Sequence, residues 1–61
     1  MDNPRFLIYK DAAEYYRWSL QAKNGEKVAA SEAYTSKQGA INSAFRVKQI
    51  AWLADVVDST I

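Results

Sequence analysis

The sequence predicts an α+β domain in which an antiparallel β-meander is followed by one packed helix and a short last strand, in the order β-β-β-α-β. Three patterns carry that prediction. Tyr15 to Ala22 alternates with a period of two, which is the signature of a half-buried strand. Turn-forming residues bracket it at Asp11 to Glu14 and at Lys23-Asn24-Gly25. After Thr35, Ala40, Ala44, Val47 and Ala51 recur at spacings of four, three and four, the period of one helix face.

The first strand is Phe6-Leu7-Ile8-Tyr9, which follows Pro4 at a position where proline is tolerated. In the second, Tyr16, Trp18, Leu20 and Ala22 share one face, and Arg17, Ser19 and Gln21 share the other. Val28 to Ser31 returns the chain after Gly25. Asn24-Gly25 invites a two-residue hairpin loop, but that register pairs Leu20 with Ala29 and turns Val28 to the polar face. A three-residue loop with Gly25 in the left-handed region pairs Leu20 with Val28 and Trp18 with Ala30, and the apolar pattern favours it.

Thr35-Ser36-Lys37-Gln38 reads as a capping box, with Thr35 as N-cap and Gln38 reaching back to it. The small residues of the helix stripe let it lie close over Trp18. Phe45 and Trp52 fall to one side of that stripe and Ile50 to the other. Val56-Val57, flanked by Asp55 and Asp58, is the expected last strand. Residues 1–61 form a single domain without linker, repeat or low-complexity tract.

Composition narrows the function classes. Eight Lys and Arg against seven Asp and Glu give a net charge of +1, too little to attract nucleic acid or an anionic membrane in bulk. No stretch approaches roughly eighteen consecutive apolar residues, and the N-terminal residues lack a signal-peptide layout, so a cytoplasmic, untargeted chain without a membrane is expected. The chain contains neither cysteine nor histidine, which removes thiolate and imidazole chemistry.

The remaining candidates for an acid, base or nucleophile are Glu14, Glu26, Glu32, Asp55, Asp58, Ser36 and Lys37. Tyr34-Thr35-Ser36-Lys37 contains a Tyr-x-x-Lys spacing, yet at a helix start hydroxyls cap and the lysine is solvated. Gly25 and Gly39 stand alone, so there is no phosphate loop, and scattered carboxylates make no metal cluster. No catalytic, cofactor-binding or metal-binding residue is assigned.

Aromatic residues make up 13% of the chain, which turns attention to surfaces. Tyr9, Tyr15 and Arg17 fall on the sheet face opposite Phe6, Ile8, Trp18 and Leu20, with Lys10, Lys23 and Lys27 expected near the rim. Such a face would stack bases of a single-stranded nucleic acid. It equally serves as cross-strand pairing that stabilises a thin sheet, which the low charge favours.

Phe6-x-Ile8-Tyr9-Lys10-Asp11, Arg17-Trp18-x-Leu20, Asn24-Gly25, Ala29-x-Ser31-Glu32-x-Tyr34-x-Ser36-Lys37 and Val47-Lys48 together resemble the small bacterial YegP-like family, a domain of unknown function. The match spans residues 6–58 in order and spacing. The resemblance implies β3-α-β units working in pairs, in tandem in longer members and as a homodimer in single-unit chains. Two units would form one continuous sheet and exchange their C-terminal strands. No activity comes with it.

Three residues or segments depart from the family pattern. Glu14 stands at a usual turn glycine, Ala44 replaces a larger aliphatic, and Ile50-Ala51-Trp52-Leu53 replaces a polar, proline-containing helix exit. Phe45, Trp52, Leu53, Val56 and Val57 are therefore the candidate dimer interface, since a lone chain would leave them as apolar patches. Size points the same way: a 60-residue domain buries only about 60% of its unfolded surface, and this one has no disulfide to help. The expected function is a non-catalytic homodimeric interaction or scaffold module that takes itself, and another protein, as partner. Weak single-strand nucleic-acid binding by Tyr9, Tyr15 and Arg17 is the alternative.

Overall fold

The computed structural model describes residues 3–60. Strands β1 (Arg5–Lys10), β2 (Tyr16–Gln21) and β3 (Lys27–Ala30) are followed by helix α1 (Lys37–Leu53). They form an antiparallel sheet in the order β1-β2-β3, and α1 packs across β1 and β2 without reaching β3.

Both hairpins are built alike. The Asp11 N–H donates to the Tyr15 carbonyl at 2.8 Å and the Ala22 N–H to the Glu26 carbonyl at 2.7 Å. Each encloses three residues whose last is left-handed: Glu14 at φ 67° and Gly25 at φ 88°. Glycine adopts that conformation freely, whereas a residue with a Cβ pays about 1–2 kcal/mol. Glu14 therefore carries strain that Gly25 avoids. The Asp11 carboxylate offsets it by accepting the Ala13 and Tyr15 N–H groups, both at 2.9 Å.

The second loop is the expected three-residue one, but the expected register survives only at its mouth. Gln21 pairs with Lys27, after which a bulge makes Val28 the extra residue, and Leu20 then faces Ala29 and Ser19 faces Ala30. Val28 is exposed and is not core. The physical reason lies at both ends of β3. No helix covers this strand, so no buried face pins its apolar residues. Ser31 and Tyr34 pull it on by one register: the Ser31 N–H donates to the Trp18 carbonyl at 2.9 Å, the Ser31 Oγ accepts the Trp18 N–H at 2.9 Å, and Tyr16 and Tyr34 exchange two backbone bonds at 2.8 Å.

The core is narrow. Trp18 is 5% exposed beneath Ala40 and Ala44, and Phe6 meets its ring edge-on at 5.1 Å. The indole Nε1–H donates to the Ser43 Oγ at 3.0 Å, and the Tyr34 hydroxyl donates to the same oxygen at 2.8 Å. The apolar stripe is buried only in its first half, since Val47 is half-buried and Ala51 exposed. A 17-residue helix spans about 25 Å, longer than six-residue strands of about 20 Å, so its last turns overrun the sheet.

Two further expectations are corrected. The N-cap is Ser36, whose Oγ accepts the Gly39 N–H at 3.0 Å, and Gln38 bonds Asn42 instead of reaching back to Thr35. Within the single protomer Val56-Val57 is not a strand: after Ala54 the chain runs exposed to residue 60. A strand exists only where a neighbour supplies hydrogen bonds, and this segment lies beside no edge of its own sheet. Ser36→Ala is expected to lower stability by about 1 kcal/mol, and Thr35→Ala to leave it nearly unchanged. Thermal melts of the two variants check this; the reverse order returns the cap to Thr35.

Candidate functional site

The chemically suggestive residues at the helix start are committed to structure. The Tyr34 hydroxyl is held by Ser43, the Ser36 hydroxyl caps α1, and Lys37 is exposed. They do not converge on a cleft. Glu14, Glu26, Glu32, Asp55 and Asp58 are all exposed. Among the described residues, no three carboxylates gather where they could hold a metal ion.

The outer sheet face does bring its candidates together. Tyr9 lies directly across from Arg17, and Tyr15 stands two residues before Arg17, just ahead of β2. All three gather around a residue the sequence marked only as a turn former. The Arg17 Nε donates to the Asp11 Oδ2 at 2.6 Å, and its Nη1 reaches the Ser31 carbonyl at 3.3 Å. The Arg17 hydrogen bond, followed by the backbone N–H groups of Tyr15 and Ala13, holds the Asp11 carboxyl below the usual carboxylate range. Asp11 in turn raises the Arg17 guanidinium. The central cation of this face is thus already neutralised. Lys10 is not on its rim: it sits on the opposite face, with its Nζ 5.3 Å from the centre of the Tyr16 ring. Aspartate as the last residue before a short loop is the signal that could have identified this knot.

A different surface is open. A groove of about 220 Å³ lies between β1 and α1, lined by Phe6, Ile8, Ile41, Ala44, Phe45 and Lys48. It continues along the overrunning helix into a concavity formed by Phe45, Lys48, Gln49, Trp52 and Leu53. Phe45 and Trp52 share this side because a spacing of seven returns to one helix face, and Leu53 adjoins it one turn after Gln49. Trp52 is 87% exposed and Leu53 80%. Val56 and Val57 follow on exposed chain beyond the helix, fully exposed and 79% exposed. The surface is apolar, and the residues that line it bring together no set of polar groups of the kind that orients a small substrate. No helix among the described residues is long and apolar enough to cross a membrane.

Residues 11–58 match the family described as Domain of unknown function (DUF1508). A UPF0339 protein of Agrobacterium fabrum is 41% identical over 56 residues, covering 92% of this chain and 90% of that protein. A UPF0339 protein from the 5′ region of the ptx operon of Stutzerimonas stutzeri is 44% identical over 46 residues, which are 75% of this chain and 41% of that relative. The solution structure of a protein from Haloferax volcanii is 40% identical, with a TM-score of 0.81 over 97% of this chain and all of that one.

The Asp11 knot predicts a specific acid response. A carboxyl held below its ordinary value of 3.8 contributes stability that is complete above that pH and is lost as pH falls through the lowered value. Asp11→Asn is therefore expected to melt below the wild type at neutral pH, with the gap closing in acid below pH 3.8. Melting curves from neutral pH to strong acid check it, and a gap that persists in acid assigns the effect to something other than the charge.

Proposed function

The chain belongs to the DUF1508 family of domains of unknown function, and from that premise we propose that it acts as a non-catalytic, self-associating interaction module whose working form is a homodimer. One observation carries the reading. The protomer exposes 5221 Å², whereas a compact chain of 6.9 kDa exposes about 4,000 Å². The excess of roughly 1,200 Å² per protomer is what a stable dimer interface buries on each side. Phe45, Trp52, Leu53, Val56 and Val57 are large apolar residues that stand exposed on this protomer. The radius of gyration agrees, at 13.2 Å against about 10.5 Å for a compact chain of this length.

In the proposed dimer each chain lends its Asp55 to Asp58 segment to the other as a strand, and the two sheets join. The Stutzerimonas relative supports pairing of units, since more than half of its length lies outside the match and leaves room for a second unit on one chain. A module of this kind, free of cysteine, suits the cytoplasm and presents its remaining surface to another protein. Single-stranded nucleic acid is the weaker reading, because Arg17 would have to leave Asp11 before it could bind phosphate.

Sedimentation at micromolar concentration is expected to give twice 6.9 kDa, with a melting temperature that rises as the protein is concentrated. A chain truncated before Asp55 is expected to lose both. A one-chain mass with concentration-independent melting would overturn the dimer. A dimer that survives truncation would leave the association and remove the exchange.

A further inference from the structure

We propose that the outward face of α1 binds duplex DNA, entering the major groove with a row of amides at its centre and cations on both flanks. The inference is separate from the homodimer reading. None of the residues it uses belongs to the apolar set on which that reading rests.

The net charge of +1 conceals how charge is distributed. In its 17 residues α1 carries Lys37, Arg46 and Lys48 and no acidic residue. All three cations are exposed. The only ion pair among the described residues is Asp11–Arg17, so the helix cations have no acidic partner there. A surface segment of this kind attracts a polyanion locally, whatever the total charge. Helical geometry then sorts the side chains. Ala40 and Ala44 are the buried residues of α1, and at about 100° per residue Gln38, Asn42 and Gln49 fall on the opposite side. These three are exposed as well. Lys37 and Lys48 stand about three turns apart on one flank of the amide row, and Arg46 lies on the other.

An uncharged row between two cationic flanks is what a helix needs inside a groove. The flanks reach the phosphate backbones on either side, which position it, and the centre meets the base edges. Amides suit that centre, because Asn and Gln pair with N6 and N7 of adenine in the major groove. The Gln38 Nε2 donates to the Asn42 Oδ1 at 2.8 Å. That bond leaves the Gln38 Oε1 as an acceptor and the Asn42 Nδ2 as a donor on adjacent turns. An adenine edge offers the complement, a donor at N6 and an acceptor at N7. Size agrees, since a helix about 10–12 Å across enters a major groove about 12 Å wide. The last turns, which carry Gln49, overrun the sheet, so the strands behind the helix stay clear of the backbones at that end. The major groove of A-form RNA is too deep and narrow for side chains to read, so the fit selects DNA.

The test is a fluorescence-anisotropy titration of the full chain with a short A·T-rich DNA duplex at low salt, beside an RNA duplex of the same sequence. The DNA duplex is expected to bind, and the RNA duplex about tenfold more weakly. The logarithm of the binding constant is expected to fall with the logarithm of salt at a slope of about −2.7 for the three cations of one helix. Arg46→Gln is expected to remove about a third of that slope, while Lys27→Gln, an exposed cation on β3, leaves it unchanged. Asn42→Ala is expected to weaken binding about tenfold at unchanged slope, as loss of a base contact does. Circular dichroism checks that the variants keep the wild-type fold. No binding at low salt overturns the proposal, and so does a slope that Arg46→Gln leaves intact, because the contacts then lie elsewhere. An RNA duplex bound as tightly as the DNA overturns the major-groove seat. None of these outcomes depends on the number of chains, so failure here leaves the homodimer reading standing.

Discussion

The indole of Trp18, pressed beneath a helix face of alanine, sets the terms for the rest of the molecule. A ring that wide in the middle strand can be covered at close range only if the helix above it presents small side chains, and Ala40 and Ala44 do so. Gly39 leaves room for the helix cap, since a Cβ there would lie 3.0 Å from the Ser36 Oγ. Phe6 closes one side of the ring and Ser43 satisfies its N–H, so the polar atom of a buried indole is not left unpaired. The consequence is an inversion of the usual size order. With small residues inside, the bulky ones on α1 have nowhere to go but outward, and Phe45, Ile50, Trp52 and Leu53 are exposed.

That inversion links packing to assembly. Trp18, Ala40 and Ala44 are the only buried hydrophobic residues among those described, a small return for ordering the chain. The apolar surface needed to complete such a core is present but stands outside, on the overrunning helix and on the segment after it. In the proposed dimer a second copy would bring the same surface to a two-fold contact. Covering it would raise stability without adding any residue to the chain.

Much of this was legible in the sequence because it is local. The alternation through Trp18 and Leu20 placed β2, the small-residue stripe placed α1 over it, and Gly25 placed the three-residue loop. The register beyond that loop was not legible, because Ser31 and Tyr34 decide it from outside the hairpin. Thr35 and Ser36 are adjacent hydroxyl residues with equal capping chemistry, and the Tyr34–Tyr16 bridge selects the second by fixing where the chain enters the helix. Arg17 was visible as a cation on the outer face, but its neutralisation by Asp11 depends on how the first loop folds back. Trp52 and Leu53 were visible as apolar residues beyond the part of the stripe that packs, and they are exposed.

The central claim, that this fold is completed by a strand from a second chain, is tested most directly by amide hydrogen exchange on the unmodified protein at dimer-forming concentration. Leu7 and Tyr9 serve as internal references, since their amides are directed at β2 within the protomer. If that strand occupies the free edge of β1, the amides of Phe6, Ile8 and Lys10 are protected alongside them, and those of Val56 and Val57 are protected too. Exchange of all five at the rate of open chain, with Leu7 and Tyr9 still protected, would show the β1 edge bare and contradict the claim.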